Sequence, residues 1–309
     1  MLNVRICPFC KSNKSLNILY KHNHKKNEKI NFECTSHNFQ NKKKWKPTLY
    51  KCNLCYLVFS EYVGVNFQNN YKTVVDNTYL KQIEFKKKTF NLFIEKIIQY
   101  LNKNCTVLEI GSYYGVLGKL IQPLVKEYVG LELSKHACKF SKKNFRLNIL
   151  NQSLNQYAKS NKKFDVIIMT DVIEHLDKPF DLLSLIEKKL NINGKLILTT
   201  FNFDSLFSKI MGRHYPWIIP MHKYYFSNTT LKNALKKNNL NLFNIENDTR
   251  IVSLEYFLQK FNILAPYFST IFNFLLKFEL IKKIKIRINL YDLKIYFAIK
   301  KNIYTDSLT

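Results

Sequence analysis

Glycine and proline are scarce in this chain, seven of each in 309 residues. Lysine, asparagine, isoleucine, tyrosine and phenylalanine are abundant instead, as expected of a compositional drift towards AT-rich codons. Acidic residues are also few. Against 49 Lys and Arg there are 22 Asp and Glu, a formal net charge of +27. A surplus of that size ordinarily points to nucleic acid or an anionic surface. Here drift accounts for it, and the lysines are spread along the chain rather than gathered in one stripe, so nucleic acid is not the favoured partner. No apolar run reaches the roughly 18 residues of a spanning helix. Met1–Cys10 holds no apolar segment of the kind an export signal needs. Cysteine occurs in an odd number, seven, and with no export signal a reducing cytoplasm is the expected compartment. The cysteines are then thiols or metal ligands rather than bridges. Global disorder is excluded by the 46% of hydrophobic residues, which predict a packed core.

What is present is organised around Thr106–Gly118, Thr-Val-Leu-Glu-Ile-Gly-Ser-Tyr-Tyr-Gly-Val-Leu-Gly. An apolar strand, Val107–Ile110, runs into a turn at Gly111. A helix follows, with Val116, Leu117, Leu120 and Ile121 on one face. Glycine lets the backbone approach a ligand, and the first free N–H groups of the helix point at it. Glu109 sits at the carboxyl end of the strand, where open α/β sheets bind ligands. Glu132, in Tyr-Val-Gly-Leu-Glu-Leu-Ser, follows at about the 20-residue spacing at which an acid meets ribose hydroxyls. Two acids at consecutive strand ends point to a nucleoside. An acid at position 109 argues against a dinucleotide pyrophosphate, which it would repel.

The chain divides into three parts. Residues 1–63 carry two Cys-x-x-Cys knuckles, Cys7-Pro-Phe-Cys10 and Cys52-Asn-Leu-Cys55, whose four thiolates complete a tetrahedral zinc site. Short strands are expected at Leu16–Tyr20 and Tyr56–Ser60, and so small a unit would draw folding energy from the metal. Cys34, His37, His22 and His24 lie between the knuckles and read as unliganded. Residues 64–104 are a linker and a helix, Phe85–Leu101, with Phe90, Phe93, Ile94, Ile97, Ile98 and Leu101 on its apolar face. Tyr71 and Tyr79 precede it, either covering the site or packing.

From residue 105 strands and helices alternate. Strands are expected at Glu127–Leu133, Leu147–Leu150, Phe164–Thr170, Lys195–Thr200, Leu240–Glu246 and Asp292–Lys300. Helices are expected at Ser134–Lys143, capped by Ser134, at Pro179–Leu190, closed by Asn193-Gly194, and at Asn228–Asn238. This rhythm predicts a Rossmann-like, doubly wound parallel sheet. Residues 249–285, aromatic and aliphatic, read as a helical lid inserted before the last strand. Its 261–285 part, with Lys277, Lys282, Lys283 and Lys285, has the alternative of a peripheral membrane contact.

Two loops should face the ligand. Asp171-Val-Ile-Glu-His-Leu-Asp177 leaves the edge shared by Gly111 and Glu132. Its Glu174-His175 pair offers acid/base chemistry, or, the favoured reading, a structural or substrate-shaping role. His222, in His-Lys-Tyr-Tyr-Phe-Ser, is the general-base candidate, since an imidazole titrates near neutral pH. Its alternative is a histidine bonded to a backbone carbonyl.

In this order, residues 105–300 resemble the class I S-adenosylmethionine-dependent methyltransferases. Glu109-Ile-Gly111 with Gly115 looks like their first motif, and Glu132 like the ribose-binding acid. Phe164-Asp-Val-Ile-Ile-Met-Thr-Asp-Val-Ile-Glu-His-Leu resembles the strand-four motif and Asn191-Ile-Asn-Gly-Lys-Leu-Ile-Leu the strand-five motif. The segment from His222 is similar to one in the branch that includes ubiquinone-type O-methyltransferases. The paired knuckles look like a zinc-binding head of some bacterial members that methylate sugars, surface polysaccharides or secondary metabolites. The resemblance implies S-adenosylmethionine bound by Glu109, Gly111, Gly115, Glu132, Thr170 and Asp171. It implies structural zinc on Cys7, Cys10, Cys52 and Cys55, and His222 deprotonating or positioning a small-molecule or sugar acceptor. Tyr113 stands where the family usually has glycine, so its ring must point away or crowd the methionine moiety. The adenine-contacting acid after the third strand is replaced by Gln152 and Ser153. Alternatives are an RNA methyltransferase with the head as RNA-binding module, a non-catalytic binding protein, and a nucleotide-dependent dehydrogenase, which Glu109 and the single glycine turn disfavour.

Overall fold

The computed structural model describes residues 6–13, 15–22, 46–63, 71–258, 270, 274, 276–278 and 284–301. Its centre is a seven-stranded sheet. The strands are β4 (Thr106–Ile110), β5 (Glu127–Leu131), β6 (Ile149–Leu150), β7 (Phe164–Thr170), β8 (Leu190–Phe201), β10 (Leu240–Asn247) and β13 (Leu293–Lys300). They lie in the order β10-β13-β8-β7-β4-β5-β6. β13 runs antiparallel to β8 and β10, and the other pairings are parallel. This is the Rossmann-like sheet with one reversed strand. β7 is apolar almost throughout because both its faces are covered. Ile167 and Met169 join the core on one side, with Leu108 and Ile110, while Val166 and Ile168 join the other, with Val107 and Ile197. Each such fully buried aliphatic contributes about 1.5–3 kcal/mol.

The helix ahead of the sheet spans Ile83–Ile97 and tightens into a 3₁₀ turn over Ile98–Tyr100. Its Phe93 and Ile97 are buried against the face of Val107 and Phe297. Ser134 caps the Lys135–Phe145 helix by accepting from the Ala137 N–H at 3.1 Å. Two expectations are corrected. The Pro179–Lys189 helix stops before Asn193-Gly194, and strand β8 already begins at Leu190. Asn193 takes a left-handed φ of 61° inside an irregular stretch, where the β7–β8 register slips between Phe164 and Val166. Asn-Gly there is a bulge rather than a helix end. The stretch expected to open a helical lid is extended at its start. β11 (Arg250–Ser253) pairs antiparallel with β12 (Lys285–Ile288), residues whose β-branched alternation suits a strand. Residues 254–258 are helical, and most of 261–285 lies outside the described residues. Among the described residues, no helix is long and apolar enough to cross a membrane.

The cysteine-bearing segment forms a second sheet. β1 (Leu16–Tyr20), β2 (Leu49–Cys52) and β3 (Val58–Ser60) are antiparallel, and β9 (Tyr224–Tyr225), from the far end of the chain, pairs with β3. Cys7, Cys52, Leu57 and Phe59 share one core with Met169, Ile173 and Phe226. The Phe9 and Phe180 rings meet at 4.7 Å.

Candidate active site

β4 ends in a bend that three consecutive local choices make tight. Gly111, Tyr113 and Gly115 have φ of 76°, 47° and 73°, and the Gly115 N–H closes on the Ser112 carbonyl at 2.8 Å. A Cβ on Gly111 would stand 2.5 Å from Val172 Cγ2. Gly111→Ala is therefore expected to cost about 1–3 kcal/mol in backbone strain alone, plus the clash. Urea midpoints at constant slope will measure it, and a midpoint equal to wild type would show that the bend relaxes freely.

Glu132 stands at the tip of β5, 8% exposed. Its Oε2 accepts from the Tyr113 N–H at 2.8 Å and its Oε1 from the Ser134 N–H at 2.7 Å. These bonds fix the carboxylate against the bend. Each oxygen keeps one lone-pair direction, enough for a vicinal diol. Burial raises the carboxyl pKa against the pull of those N–H donors. Glu109 is placed differently. It is 2% exposed and accepts from Tyr128 Oη at 2.5 Å. Burial first, and then the charge of Glu132, push its pKa up to about 8. One carboxyl oxygen of Glu109 is thus bonded within the protein.

Tyr113 turns its ring towards the segment before the first long helix. Its Oη donates to Asp76 Oδ2 at 2.9 Å, and its ring meets that of Tyr79 edge-on at 4.8 Å. Asp76 also caps the Asn77–Lys81 helix, its Oδ1 accepting from the Tyr79 N–H at 2.8 Å. Ser134 Oγ donates to the Val74 carbonyl at 2.9 Å. Residues 74–79 thus cover the bend. Ser153 is spent on a capping box with Gln156.

Across the sheet edge, Thr170 ends β7 and Asp171 follows it. Asp171 has a φ of 54°, and its Oδ1 accepts from Thr199 Oγ1 at 2.9 Å. Arg250, from β11, bridges Asp171 at 2.9 Å and the buried Asp248 at 2.7 Å. The sequence reading missed both Arg250 and Asp248. The signal was an Asp-Thr-Arg triplet just after the sixth strand of the sheet in chain order, a point where the chain re-enters the ligand edge.

The structure brings Glu174, His175 and His222 together: one ligand atom of each lies within 4.8 Å of the others. His222 Nδ1 donates to the Trp217 carbonyl at 2.7 Å, so the ring's lone pair is on Nε2. The imidazole stacks on Phe201 with centroids 5.1 Å apart and is 4.6 Å from the His175 ring. His175 Nδ1 lies 3.2 Å from the Met221 carbonyl and 3.1 Å from Tyr71 Oη. Burial lowers both histidines, His175 to about 4 and His222 well below its ordinary value, so both are neutral at pH 7. Burial and then Asp171 raise Glu174 to about 8 against the opposing pull of the Thr200 hydroxyl, and its Oε2 is buried with no hydrogen bond among the described residues. At pH 7 the Glu174 carboxyl therefore keeps its proton, and beside two neutral imidazoles it can donate that proton to a bound group or release it on taking a divalent cation.

The four knuckle sulfurs lie within 4.8 Å of one another, with Cys7–Cys55 and Cys10–Cys52 both at 3.5 Å. Tetrahedral zinc with bonds of about 2.3 Å separates its sulfurs by roughly 3.8 Å, so the set fits that ion. The knuckles repeat one conformation. Lys11 and Tyr56, each just after the second cysteine, have φ of 63° and 61°. Their N–H groups bond the Cys7 and Cys52 carbonyls at 3.0 and 2.8 Å. Cys34, His24 and His37 lie outside the described residues, and the His22 N–H donates to Thr48 Oγ1.

Comparison with known proteins bears on the same region. Residues 81–245, more than half of the chain, match the family model described as a methyltransferase domain. The chain is 26% identical over 186 residues to the mitochondrial ubiquinone biosynthesis O-methyltransferase of Schizosaccharomyces pombe, covering 54% of this chain and 66% of that protein. It is 30% identical over 151 residues to the ubiquinone biosynthesis O-methyltransferase of Pelagibacter ubique, covering 45% and 63%. The chain thus spans just under two thirds of the length of these curated relatives. Among solved structures, one match is a chain of the complex between the Haloferax volcanii Trm112 methyltransferase activator and a methyltransferase. The TM-score is 0.52 at 9% identity, covering 74% of this chain and 96% of that one, a likeness of fold.

Proposed function

Because this chain belongs to the methyltransferase-domain family, we propose that it moves a methyl group from S-adenosylmethionine to a hydroxyl of a small molecule or glycan precursor. The observation that carries the reading is Glu132, held by the Tyr113 and Ser134 N–H groups at a strand tip beside the glycine bend. A carboxylate oriented in this way, with lone pairs to spare, suits a ribose. When bound, the sulfonium supplies an electrophilic methyl carbon. The chain's own residues do the rest. Glu132 would bind the ribose hydroxyls. Gly111 and Gly115 would let the backbone close on the nucleoside. Thr170 and Asp171 would border the methionine end, with Arg250 fixing Asp171.

On the acceptor side, catalysis is chiefly alignment plus removal of one proton. His222, tied at Nδ1, would take that proton at Nε2 or hold the hydroxyl in line. In the alternative, Glu174, His175 and His222 would hold a divalent cation; His222 Nε2 would then be a ligand rather than the base, and the ion would ease loss of the proton by lowering the pKa of the acceptor hydroxyl. The knuckle cysteines would hold zinc, with no open position and so a structural role. The relatives named for ubiquinone biosynthesis favour oxygen as the methylated atom.

The test is transfer of tritiated methyl from S-adenosylmethionine into an extract of the source cells, fractionated by size and by nuclease treatment. Label is expected in a small, nuclease-resistant fraction. Label in a large, nuclease-sensitive fraction would replace the acceptor class with RNA. Absence of calorimetric binding at millimolar S-adenosylmethionine would leave a binding protein on a methyltransferase fold.

A further inference from the structure

His222 lies two residues before the strand that the cysteine-bearing sheet borrows, with Lys223 between. Tyr224 and Tyr225 of β9 pair with Phe59 and Val58 of β3. The Ser60 N–H donates to the Lys223 carbonyl at 2.8 Å, and the Lys223 N–H donates to the Glu174 carbonyl at 2.8 Å. At the other end of β3, the Cys52 N–H reaches the Leu57 carbonyl at 3.0 Å. One unbroken main-chain path therefore runs from a knuckle cysteine, along β3, through Lys223, to the loop that carries Glu174 and His175. Side chains reinforce it. The Lys223 ammonium is wholly buried and ion-paired with Asp177, and Tyr224 Oη donates to the Asp177 carbonyl at 3.0 Å. Cys7, Cys52, Phe59, Ile173, Tyr224 and Phe226 close into one core around the path.

The cofactor half of the site is held by other means. Glu132, Tyr113, Ser134 and Asp76 bond to one another and to residues 74–79, none of which belongs to the cysteine sheet. Two loops carry the three acceptor-side groups, and Lys223 is where both meet the second sheet. We infer that the cysteine cluster is a positioning clamp for Glu174, His175 and His222. Its integrity sets how well an acceptor is turned over, and leaves S-adenosylmethionine affinity untouched. The knuckle cysteines and Lys223 are positioning residues, since none of them reaches the reacting atoms. The turnover half of this inference rests on the methyltransferase reading; the clamp itself does not.

The experiment uses the full chain with Cys52→Ser and Cys55→Ser together, and separately Lys223→Met with all cysteines intact, in case the double variant fails to fold. Three readouts are compared: amide hydrogen exchange, the His222 Nδ1–H resonance by nitrogen-15 NMR, and S-adenosylmethionine Kd by calorimetry. Protection of the Lys223 and Tyr225 amides should fall at least tenfold, while amides of β4 and β7 change less than twofold. The His222 Nδ1–H signal, kept in slow exchange by Trp217, should be lost. Kd should stay within twofold, and the initial rate of tritiated-methyl transfer from S-adenosylmethionine into the small, nuclease-resistant extract fraction should drop roughly ten- to a hundredfold. Unchanged protection and an intact Nδ1–H signal in either folded variant would overturn the clamp. So would a loss of S-adenosylmethionine affinity as large as the loss of turnover. Loosened amides without any acceptor turnover, even in wild type, would instead refute the methyltransferase reading and leave the clamp standing.

Discussion

Glu132→Ala is expected to weaken S-adenosylmethionine binding at least a hundredfold, read as calorimetric Kd, and to do so more than any acceptor-side substitution. The carboxylate is already oriented by two N–H donors, so little freedom is lost when a diol meets its remaining lone pairs. Hydrogen bonds to a charged group contribute about 1.5–3 kcal/mol each. Losing both exceeds the roughly 2.8 kcal/mol that a hundredfold represents. A second loss adds to the first. Without the carboxylate, the Tyr113 and Ser134 N–H groups have no acceptor from residue 132, and the bend they close loses its anchor. Glu132→Gln separates the two effects. Its amide offers one oxygen where the bend demands two acceptors, so it should lose at least tenfold despite its shape. A Kd for Glu132→Ala within threefold of wild type would remove the ribose role and, with it, the nucleoside pocket.

The sheet was legible because parallel strands buried on both faces must be written as apolar runs. Phe164–Thr170 is such a run, and its boundaries are the same in sequence and structure. The capping of Lys135–Phe145 by Ser134 was legible for a local reason as well. What could not be read depends on partners distant along the chain. Tyr224–Tyr225 is too short to announce a strand, and it becomes one only because β3 presents an unpaired edge. Glu109 stands out in the sequence by its position at a strand end, whereas the bond from Tyr128 Oη to its Oε2 has no local signature, being set by the pairing of β4 with β5. Arg250 carries no local periodicity that marks a site. Its meaning comes from Asp171 and Asp248, brought to it by the return of the chain after β10. Tyr113 shows the limit from the other side. The departure from glycine was visible in the sequence, whereas the direction of the ring was fixed by Asp76, a helix cap with no family signature.

His222→Ala should lower kcat by about 10²–10⁴-fold, the usual range for a positioned acid or base, with S-adenosylmethionine Kd within twofold of wild type. The imidazole is 5% exposed, tied at Nδ1 to Trp217 and stacked on Phe201, so Nε2 is its one functional atom. Burial keeps it neutral, which makes it a weak base but an unprotonated one, ready for a proton or a cation across the whole neutral range. Glu174 supplies the second half of the argument. Its Oε2 is buried without a hydrogen bond among the described residues, a cost of the order of 1–3 kcal/mol that a functional contact would relieve. If Glu174, His175 and His222 act on one acceptor hydroxyl or hold one ion, they form a unit, and units respond to deletion non-additively. Glu174→Ala combined with His222→Ala should therefore lose little more kcat than the worse single variant. Independent roles would instead multiply the losses. Turnover within threefold of wild type for His222→Ala would move the chemistry elsewhere, and a Kd loss equal to that of Glu132→Ala would dissolve the division between a cofactor side built on β4 and β5 and an acceptor side built on β7 and the loop before β9.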